Sequence, residues 1–549
     1  MARQRQRRKP KGETSAESPL DGARRSTSRI EVVCWSVLLA AAIGALIWHH
    51  SVLFFLSWTD EQIHFYVAKR MAEGAVLYRD IDSARPPLVL FPIAGLIRMG
   101  CAPLLAGRAM VLAVQFATAG LLFWAGSRLA SGRVGALAAL LFLTSPEVFD
   151  RIHYTGIQLS ALTASACVLF SLRAQPLRSG LFCGLTLATD QHGLVVCLVV
   201  AVLTVVRRPH DGVRFAVGAL IVSGLAFGVV WALGGRHVWE SLFGIHLFHF
   251  RDSQGSDTQF WEKFTPWLYE HSYLLVGSGV ALALVGFKRR ESADERAPGA
   301  ASRTVRILLL AVGAHVAVVL AMSEAAFLYV VVIAPLLTFL AAIGFDAFVT
   351  TWGGYRQMSQ ARARRLHRRM LGGVVLVLAL TTGGWAASGA SREGLDRRQY
   401  SFWPHVRYGQ LYRHQRLDVA WQVAKDSILP RTGTIFGDPT IVSAVALHSG
   451  LRVSGELADL NPSWLVAGTV DRVDVVSRIE RDNVAAVITS PWFMAQDSYL
   501  RSYLMACYNI PKIFPAPANG PGAGLFDILV YSHSQGKSPC RVPSGEGGD

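Results

Sequence analysis

The chain has 549 residues, of which 52% are hydrophobic and 17% charged, and its formal net charge is +16. Soluble domains carry about 25% charged residues, so this composition excludes an ordinary soluble protein and favours a polytopic membrane protein. Much of the positive charge lies in ARQRQRRKPK at the N-terminus and RARRLHRR at 362–369. Beside spanning helices, such runs are typical of cytoplasmic anchors and not of a nucleic-acid surface.

The order of apolar and polar stretches predicts three parts. Residues 1–30 form a disordered basic cytoplasmic tail, and 31–390 form the membrane domain. Residues 391–549 form an extracytoplasmic soluble α/β domain. The fold class is therefore an α-helical polytopic bundle with a C-terminal α/β domain. Apolar runs of roughly 20 residues predict about eleven spanning helices, at 32–56, 86–99, 104–127, 133–149, 157–172, 179–206, 213–234, 272–288, 305–322, 325–349 and 371–388.

The lysines and arginines set the predicted orientation. The N-terminus and the basic loops 207–214, 287–306 and 355–369 are predicted to be cytoplasmic. Two alternatives stay open between 86 and 206. Eleven single passes leave Arg128, Arg133, Arg173 and Arg178 outside, whereas a hairpin over 179–206, with its tip at Thr189 to His192, keeps its two basic flanks inside.

The first outside loop, 57–85, contains two acidic pairs, Asp60–Glu61 and Asp80 with Asp82. Carboxylates at the mouth of an apolar segment are costly near lipid and by default mark a functional site. Such a pair suits a general base, a ligand of a hard divalent cation or a proton relay. A structural interpretation stands beside these: Asp60 caps the helix that begins near Gln62, and Glu61 lies in its first turn.

A second outside loop, 236–271, is crowded with aromatic residues that are typical of the headgroup layer. We predict an interfacial anchor there. The sharper alternative is a rim that admits a lipid-linked substrate, with His249 or Arg251 contacting phosphate. Glu324, at a predicted outside tip, is a further candidate because it is a carboxylate within an apolar region.

Beyond residue 391, short apolar runs at 434–436, 484–488 and 525–531 alternate with helical stretches, which predicts a small α/β domain. Two of the seven cysteines, Cys507 and Cys540, lie in this part. In an extracytoplasmic location they would be able to pair.

The first loop carries a recognisable pattern: Asp60-Glu61, then Met71 to Gly74, Tyr78-Arg79-Asp80 and Arg85-Pro86-Pro87-Leu88. Following one spanning helix, this pattern resembles the GT-C superfamily of polytopic glycosyltransferases. It is most similar to the branch of bacterial protein O-mannosyltransferases and the lipid A aminoarabinose transferase. The resemblance covers the whole chain as architecture, and its specific motif covers about 30 residues.

The resemblance implies roles for individual residues. The catalytic base, or a near partner of it, falls on Asp60 with Glu61 beside it. The substrate-binding positions of the same loop fall on Tyr78, Arg79, Asp80 and Arg85, and Arg85 meets the donor phosphate. Gln158 stands where relatives usually have an acidic residue. Asp190, followed by Gln191-His192, stands where they have a lysine. These two departures support an alternative, a non-catalytic protein of the same fold.

The resemblance also implies the partners. The donor is a sugar on a polyprenyl phosphate, and the acceptor is a hydroxyl of a lipid, glycan or protein outside the cell. No nucleic acid is expected, and the location is the inner membrane. No cofactor is required, although Mg²⁺ or Mn²⁺ is compatible with the carboxylates. A lipid or solute transporter is a further alternative, which predicts charges deep in several helices.

Overall fold

The computed structural model describes residues 29–52, 59–145, 148, 153–235, 237–239, 241–242, 272–291, 300–321, 331–354, 420–457, 471–491, 498–515 and 528–532. The predicted tail up to residue 28, the basic loop 355–369 and the predicted last spanning segment 371–388 lie outside these residues. Most of the aromatic loop 236–271 does so too.

The described part before residue 355 is built from twelve helices of ten or more residues. They are α1 Arg29–Val52, α2 Thr59–Ala72, α3 Pro87–Arg98, α4 Pro103–Leu129, α5 Gly132–Leu143, α6 Ile157–Leu172, α7 Pro176–Thr189, α8 Leu194–Arg207, α9 Pro209–Gly234, α10 Ser272–Glu291, α11 Ala300–Ala321 and α12 Ala334–Gly354.

These helices expose apolar side chains on their outward faces. Leu220, Leu225 and Trp231 of α9 are exposed, as are Val37 and Ile47 of α1. Apolar side chains facing outward are costly in water and favourable in lipid. Among the described helices, α4, α9 and the stretch Val331–Val349 that contains most of α12 are long and apolar enough to cross a membrane. The predicted polytopic membrane fold is thus supported by the surface as well as by the sequence.

Residues 176–207 form a helical hairpin. Helix α7 ends at Thr189, a 3-10 turn spans Gln191–Gly193, and α8 begins at Leu194. Both ends of the hairpin border the start of α9, because Leu177 lies against Gly218 and Val205 against Gly212. The alternative of a hairpin over 179–206 is therefore confirmed, and the single pass is wrong.

Helix α3 does not cross the bundle. It has 12 residues and so a length of about 18 Å, against about 30 Å of hydrocarbon core. Its first turn lies beside Tyr154, whose hydroxyl donates to the Val89 carbonyl at 2.7 Å. Its last turn shares a cavity with Leu233, at the end of α9. The prediction that 86–99 is a spanning pass is wrong, because an apolar run also forms where a helix packs on protein at one end of a bundle.

The arginines that follow α4, α6 and α8 lie at the end of the bundle opposite to α3. Arg173, after α6, lies over the ring of Trp124 near the end of α4, 4.6 Å from the ring centroid. Arg207, at the end of α8, lies within electrostatic range of Arg303 at the start of α11. Arg128 and Arg178 border the same turns. One end of the bundle is therefore basic, which single passes between 86 and 206 did not predict.

Helices α7 and α9 approach closely through glycine. A Cβ placed on Gly180 would lie 2.0 Å from the carbonyl oxygen of Phe215, and one on Gly184 would lie 2.5 Å from that of Ala219. Gly180 and Gly184 form a GxxxG spacing, which lets helix backbones pack without intervening side chains.

The C-terminal part contains a five-stranded sheet of order β2-β1-β3-β5-β4. Its elements are β1 Thr434–Gly437, α13 Pro439–Ser449, β2 Arg452–Val453, α14 Arg472–Arg481, β3 Ala486–Thr489, α15 Ser498–Cys507, β4 Lys512–Phe514 and β5 Ile528–Ser532. Strands β2, β1 and β3 are parallel, and β5 pairs antiparallel with β3 and β4. The predicted runs at 434–436, 484–488 and 525–531 correspond to β1, β3 and β5.

The sheet is attached to the bundle through α2. Helix α13 packs on α2, and Tyr66 of α2 belongs to the same hydrophobic cluster as Ile441 and Val445 of α13. The amide of Val453 donates to the Tyr66 hydroxyl at 2.8 Å in a buried contact. At the rim, Arg478 reaches the Asp82 carboxylate at 3.3 Å. Helix α2 is thus shared between the two parts.

Candidate functional site

A buried ion pair fixes the first turn of α2. Arg108 of α4 donates to both carboxylate oxygens of Glu61, at 2.7 and 2.9 Å. Glu61 is fully buried, and the Arg108 side chain is 2% exposed. Burial alone would raise the pKa of the Glu61 carboxyl, but the guanidinium of Arg108 and the neighbouring His153 hold it well below its usual range. Glu61 is therefore a permanent anion with both oxygens occupied.

The segment 153–158 closes over this pair. The amide of Tyr154 donates to Glu61 at 3.0 Å, and His153 Nδ1 lies 3.4 Å from the other carboxylate oxygen. Gln158 holds the segment in shape, because its amide donates to the His153 carbonyl at 2.7 Å and its oxygen accepts from Thr155. The predicted substrate position Gln158 is buried and is engaged in these local bonds.

His64 lies one helical turn after Glu61 and is also buried. Its Nδ1 lies 3.1 Å from the Tyr154 carbonyl, to which the protonated nitrogen donates. Burial, together with the positive charge of Arg85, lowers the pKa of His64 to about 3. The imidazole is consequently neutral at physiological pH and acts as a hydrogen-bond donor, not as a cation.

Arg85 and Tyr78 are joined within the first loop. Tyr78 is buried with a positive φ of 67°, a conformation that costs energy for a non-glycine residue. Its hydroxyl donates to the Arg85 carbonyl at 2.5 Å, and its amide donates to the Ile81 carbonyl. Tyr78 therefore shapes the loop that carries Arg85. The positive charge of Arg85 lowers the pKa of both His64 and Asp190.

Asp190 occupies the tip of the α7–α8 hairpin at the same end. Its carboxylate accepts from the His192 amide at 2.9 Å and is paired with the His192 ring. Burial raises the pKa of Asp190, and His192 and Arg85 more than reverse this, so that the net shift is downward. The tip thus brings a carboxylate and an imidazole to the end of the bundle where Glu61 and Arg85 lie.

Arg79 and Asp80 are arranged differently. They form an exposed ion pair at 2.9 Å with each other, and Asp80 also accepts from the Val76 amide. Hydrogen bonds from Arg79 and from that amide lower the pKa of Asp80 to about 2. This geometry closes the turn after α2, and the two side chains are not gathered around Glu61.

Four of the predicted site residues have side chains outside the described residues. Asp60 lies in the first turn of α2, next to Glu61, and its side chain is outside the described residues. His249, Arg251 and Glu324 lie outside the described residues altogether. Sequence reasoning did not single out Arg108 or His64. Arg108 is a lone charge in an apolar segment, which is a signal for function; His64 gave no comparable signal.

Within the described ranges, no group of three or more His, Cys, Asp or Glu side chains has a geometry that could hold a metal ion. Glu61 is committed to Arg108 and Asp190 to His192. The compatibility of the site with Mg²⁺ or Mn²⁺ stays a prediction.

The helical bundle, helices α2 and α3 and the five-stranded sheet have the fold seen in solved structures of ArnT, so the predicted resemblance is confirmed at the level of the fold. The structure of ArnT from Cupriavidus metallidurans bound to undecaprenyl phosphate is similar over 91% of this chain and 98% of that chain, with a TM-score of 0.53 and 15% identity. The apo structure of the same protein is similar to the same extent, at 16% identity.

A weaker similarity extends to the oligosaccharyltransferase AglB from Archaeoglobus fulgidus in complex with an inhibitory peptide and a dolichol-phosphate. It has a TM-score of 0.43 at 12% identity and covers 93% of this chain and 75% of that chain. No protein-family model and no curated protein sequence matches this chain. At 15% and 16% identity, the similarity to the two ArnT structures establishes the fold alone.

Proposed function

We propose that this protein is an integral membrane glycosyltransferase. It transfers a sugar from a polyprenyl-phosphate donor to an acceptor hydroxyl at the extracytoplasmic surface. The observation that carries the proposal is the buried Glu61–Arg108 pair, closed by the Tyr154 amide. It fixes the helical turn on which Asp60 lies, in a chain with the fold of ArnT, whose structure contains undecaprenyl phosphate.

The proposed chemistry needs one base and one anion site. Asp60 accepts the proton of the acceptor hydroxyl, whose oxygen attacks the anomeric carbon of the sugar. The bond from that carbon to the phosphate oxygen breaks, and the polyprenyl phosphate leaves as an anion. The resemblance implies inversion at the anomeric carbon. Arg85 is the residue proposed to contact the phosphate, since its charge reaches the same end of the bundle as His64 and Asp190.

Glu61 is assigned a positioning role. Both of its oxygens accept hydrogen bonds from Arg108, and its pKa lies well below the usual range. A carboxylate in that state is a poor proton acceptor. Glu61 therefore orients the first turn of α2, and proton transfer is left to its neighbour Asp60.

The proposed orientation places the basic end of the bundle in the cytoplasm. The end that carries Glu61, Asp190 and the sheet then faces outward. The disulfide bond of Cys507 supports this orientation, because such bonds persist in oxidising compartments. Its expected partner, Cys540, lies outside the described residues.

The test is transfer from a panel of radiolabelled polyprenyl-phosphate sugars in envelope membranes that contain wild type or Asp60→Asn. Loss of a general base typically lowers the rate by about 10²–10⁴-fold, and we expect a loss of this size with equal expression. Glu73→Gln is the matched control, since Glu73 is an exposed carboxylate after the other end of α2. Equal transfer by Asp60→Asn and wild type would contradict the assignment of the base.

A further inference from the structure

A second feature of the outer end lies away from the buried site. A cavity of about 260 Å³ opens between the end of α2, the last turns of α3 and the end of α9. Its lining is apolar except for one arginine, and it includes Met71, Leu77, Phe91, Gly95, Arg98 and Leu233. We call it the Arg98 groove.

The groove is contiguous with the lipid-facing surface. Phe91 and Leu233 in its wall are exposed, and so are Trp231 and Val229 beside it on α9. These exposed apolar residues follow the outward face of a helix that is long and apolar enough to span the membrane. Since α9 ends at Gly234, the groove lies at the level of the headgroups, where tryptophan is enriched.

Among the described residues, no carboxylate compensates the charge of the groove. Arg70 pairs with Glu73 and Arg79 pairs with Asp80, which neutralises these two neighbouring guanidinium groups. Arg98 is exposed, and no carboxylate pairs with it in the described part of the chain. An apolar slot with one cation at its rim is complementary to a molecule that has a hydrocarbon chain and an anionic head.

The position of the groove separates it from the proposed donor site. Met71 is ten residues beyond Glu61 on α2, about 15 Å along the helix, and Arg98 is at the far end of α3 from Arg85. A donor phosphate at Arg85 would leave Arg98 without an anion. We propose that the Arg98 groove binds an anionic phospholipid of the bilayer, with an acyl chain against Gly95 and Leu233 and the phosphate on Arg98.

The experiment uses the full-length protein in nanodiscs that contain trace phosphatidylglycerol with a diazirine on one acyl chain. After irradiation, mass spectrometry should locate the label on peptides that contain 71–77 and 91–98. A phosphatidylcholine probe has the same chains and the same phosphate, but its choline cation cancels the net charge and is repelled by Arg98, so it should label these peptides about tenfold less.

Two variants test the geometry. Arg98→Gln should lower phosphatidylglycerol labelling about tenfold, whereas Arg79→Gln should leave it unchanged. Gly95→Leu should abolish labelling because a Cβ at Gly95 points into open space and the side chain would fill the groove. Gly120→Leu is its control, since a Cβ there also meets nothing within 4 Å. Size-exclusion profiles of the variants establish that each is folded.

Three results would overturn the proposal. The first is equal labelling of these peptides by both phospholipid probes. The second is labelling that neither Arg98→Gln nor Gly95→Leu reduces. The third is loss of the phosphatidylglycerol label on addition of stoichiometric polyprenyl phosphate, which would assign the groove to the donor chain. All three are measured without glycosyl transfer, so they are independent of whether Asp60 is a base.

Discussion

The Arg108 guanidinium donates to both oxygens of the Glu61 carboxylate, 47 residues earlier in the chain, at 2.7 and 2.9 Å. The pair is isolated from water, and it connects α4 to α2, the helix that begins with Thr59 and Asp60. Fork-to-fork geometry of this kind constrains orientation as well as distance. It follows that the first turn of α2 has little freedom to rotate.

Removing one member of this pair should be severely destabilising. Arg108→Met leaves a buried carboxylate without its cation, for which about 3–5 kcal/mol is expected. The double variant Glu61→Leu/Arg108→Leu removes both charges and should be more stable than Arg108→Met. Thermal midpoints of the detergent-solubilised proteins, followed by size exclusion, provide the measurement. A double variant less stable than Arg108→Met would show that the charges themselves hold the fold.

As the pH is lowered, the free energy of unfolding should begin to decrease near pH 6.5. This is above the pH range in which carboxylates begin to take up protons. The folded pKa of His64 is about 3, below the usual 6.5, so below pH 6.5 the unfolded chain binds a proton that the folded chain does not. Stability from His64 is therefore present above pH 6.5 and is lost as the pH falls toward 3. Glu61, with its lowered pKa, adds a loss only below its usual value of 4.5.

The check is the thermal midpoint between pH 7 and pH 4 for wild type and His64→Asn, in which the amide replaces the Nδ1 donor. The variant should show a flatter profile between pH 6.5 and 5. His210→Asn serves as the control because His210 is exposed at the basic end. Identical profiles for wild type and His64→Asn would refute the burial argument.

Attachment of the sheet to the bundle should depend on Tyr66 more than on the ion pair at the rim. Tyr66→Phe leaves the buried Val453 amide without its acceptor, at a cost of about 1–3 kcal/mol. Asp82→Asn weakens a partly exposed pair with Arg478, for which about 0–1 kcal/mol is expected. Hydrogen exchange at Val453 should accelerate in the first variant and stay near wild type in the second. The reverse order would place the attachment at the rim.

The contact between α7 and α9 should not tolerate a methyl group at Gly180. A Cβ there would lie 2.0 Å from the Phe215 carbonyl oxygen, so Gly180→Ala must force the helices apart and lower the thermal midpoint. Gly224→Ala is the matched variant on α9, where a Cβ meets open space. Alanine should be neutral or stabilising there by up to about 1 kcal/mol. Equal midpoints for the two variants would argue against close packing.

Much of the helical bundle was predictable because a helix that contacts lipid must be apolar, and apolar runs are visible in the sequence. The same requirement explains the error at 86–99. Hydropathy does not distinguish a helix in lipid from α3, whose Leu90 and Ile93 are buried in protein. The sequence did not decide between a hairpin and a single pass over 179–206 for a related reason. One capping carboxylate, Asp190, ends the first helix there, while the segment as a whole stays apolar.

The candidate site was predicted in part. Asp60 and Glu61 were predicted as site residues because a charge at the edge of an apolar segment is costly. The sequence did not distinguish the positioning role of Glu61 from the proposed role of Asp60 as base. Nothing in the local sequence shows that Arg108 occupies both oxygens of Glu61. Tyr154 was not predicted as a site residue, because its amide contact with Glu61 is a backbone interaction that no residue pattern encodes.

Helix α2 presents one face to each half of the protein. Glu61 reaches the bundle, and Tyr66 with its apolar neighbours reaches the sheet. A chain truncated before residue 420 would therefore expose to water an apolar surface that is now covered, at the helix next to the proposed base. Expression of the membrane part alone is expected to yield an aggregating or misfolded protein, and any evolutionary exchange of the C-terminal part must conserve its fit to this single helix.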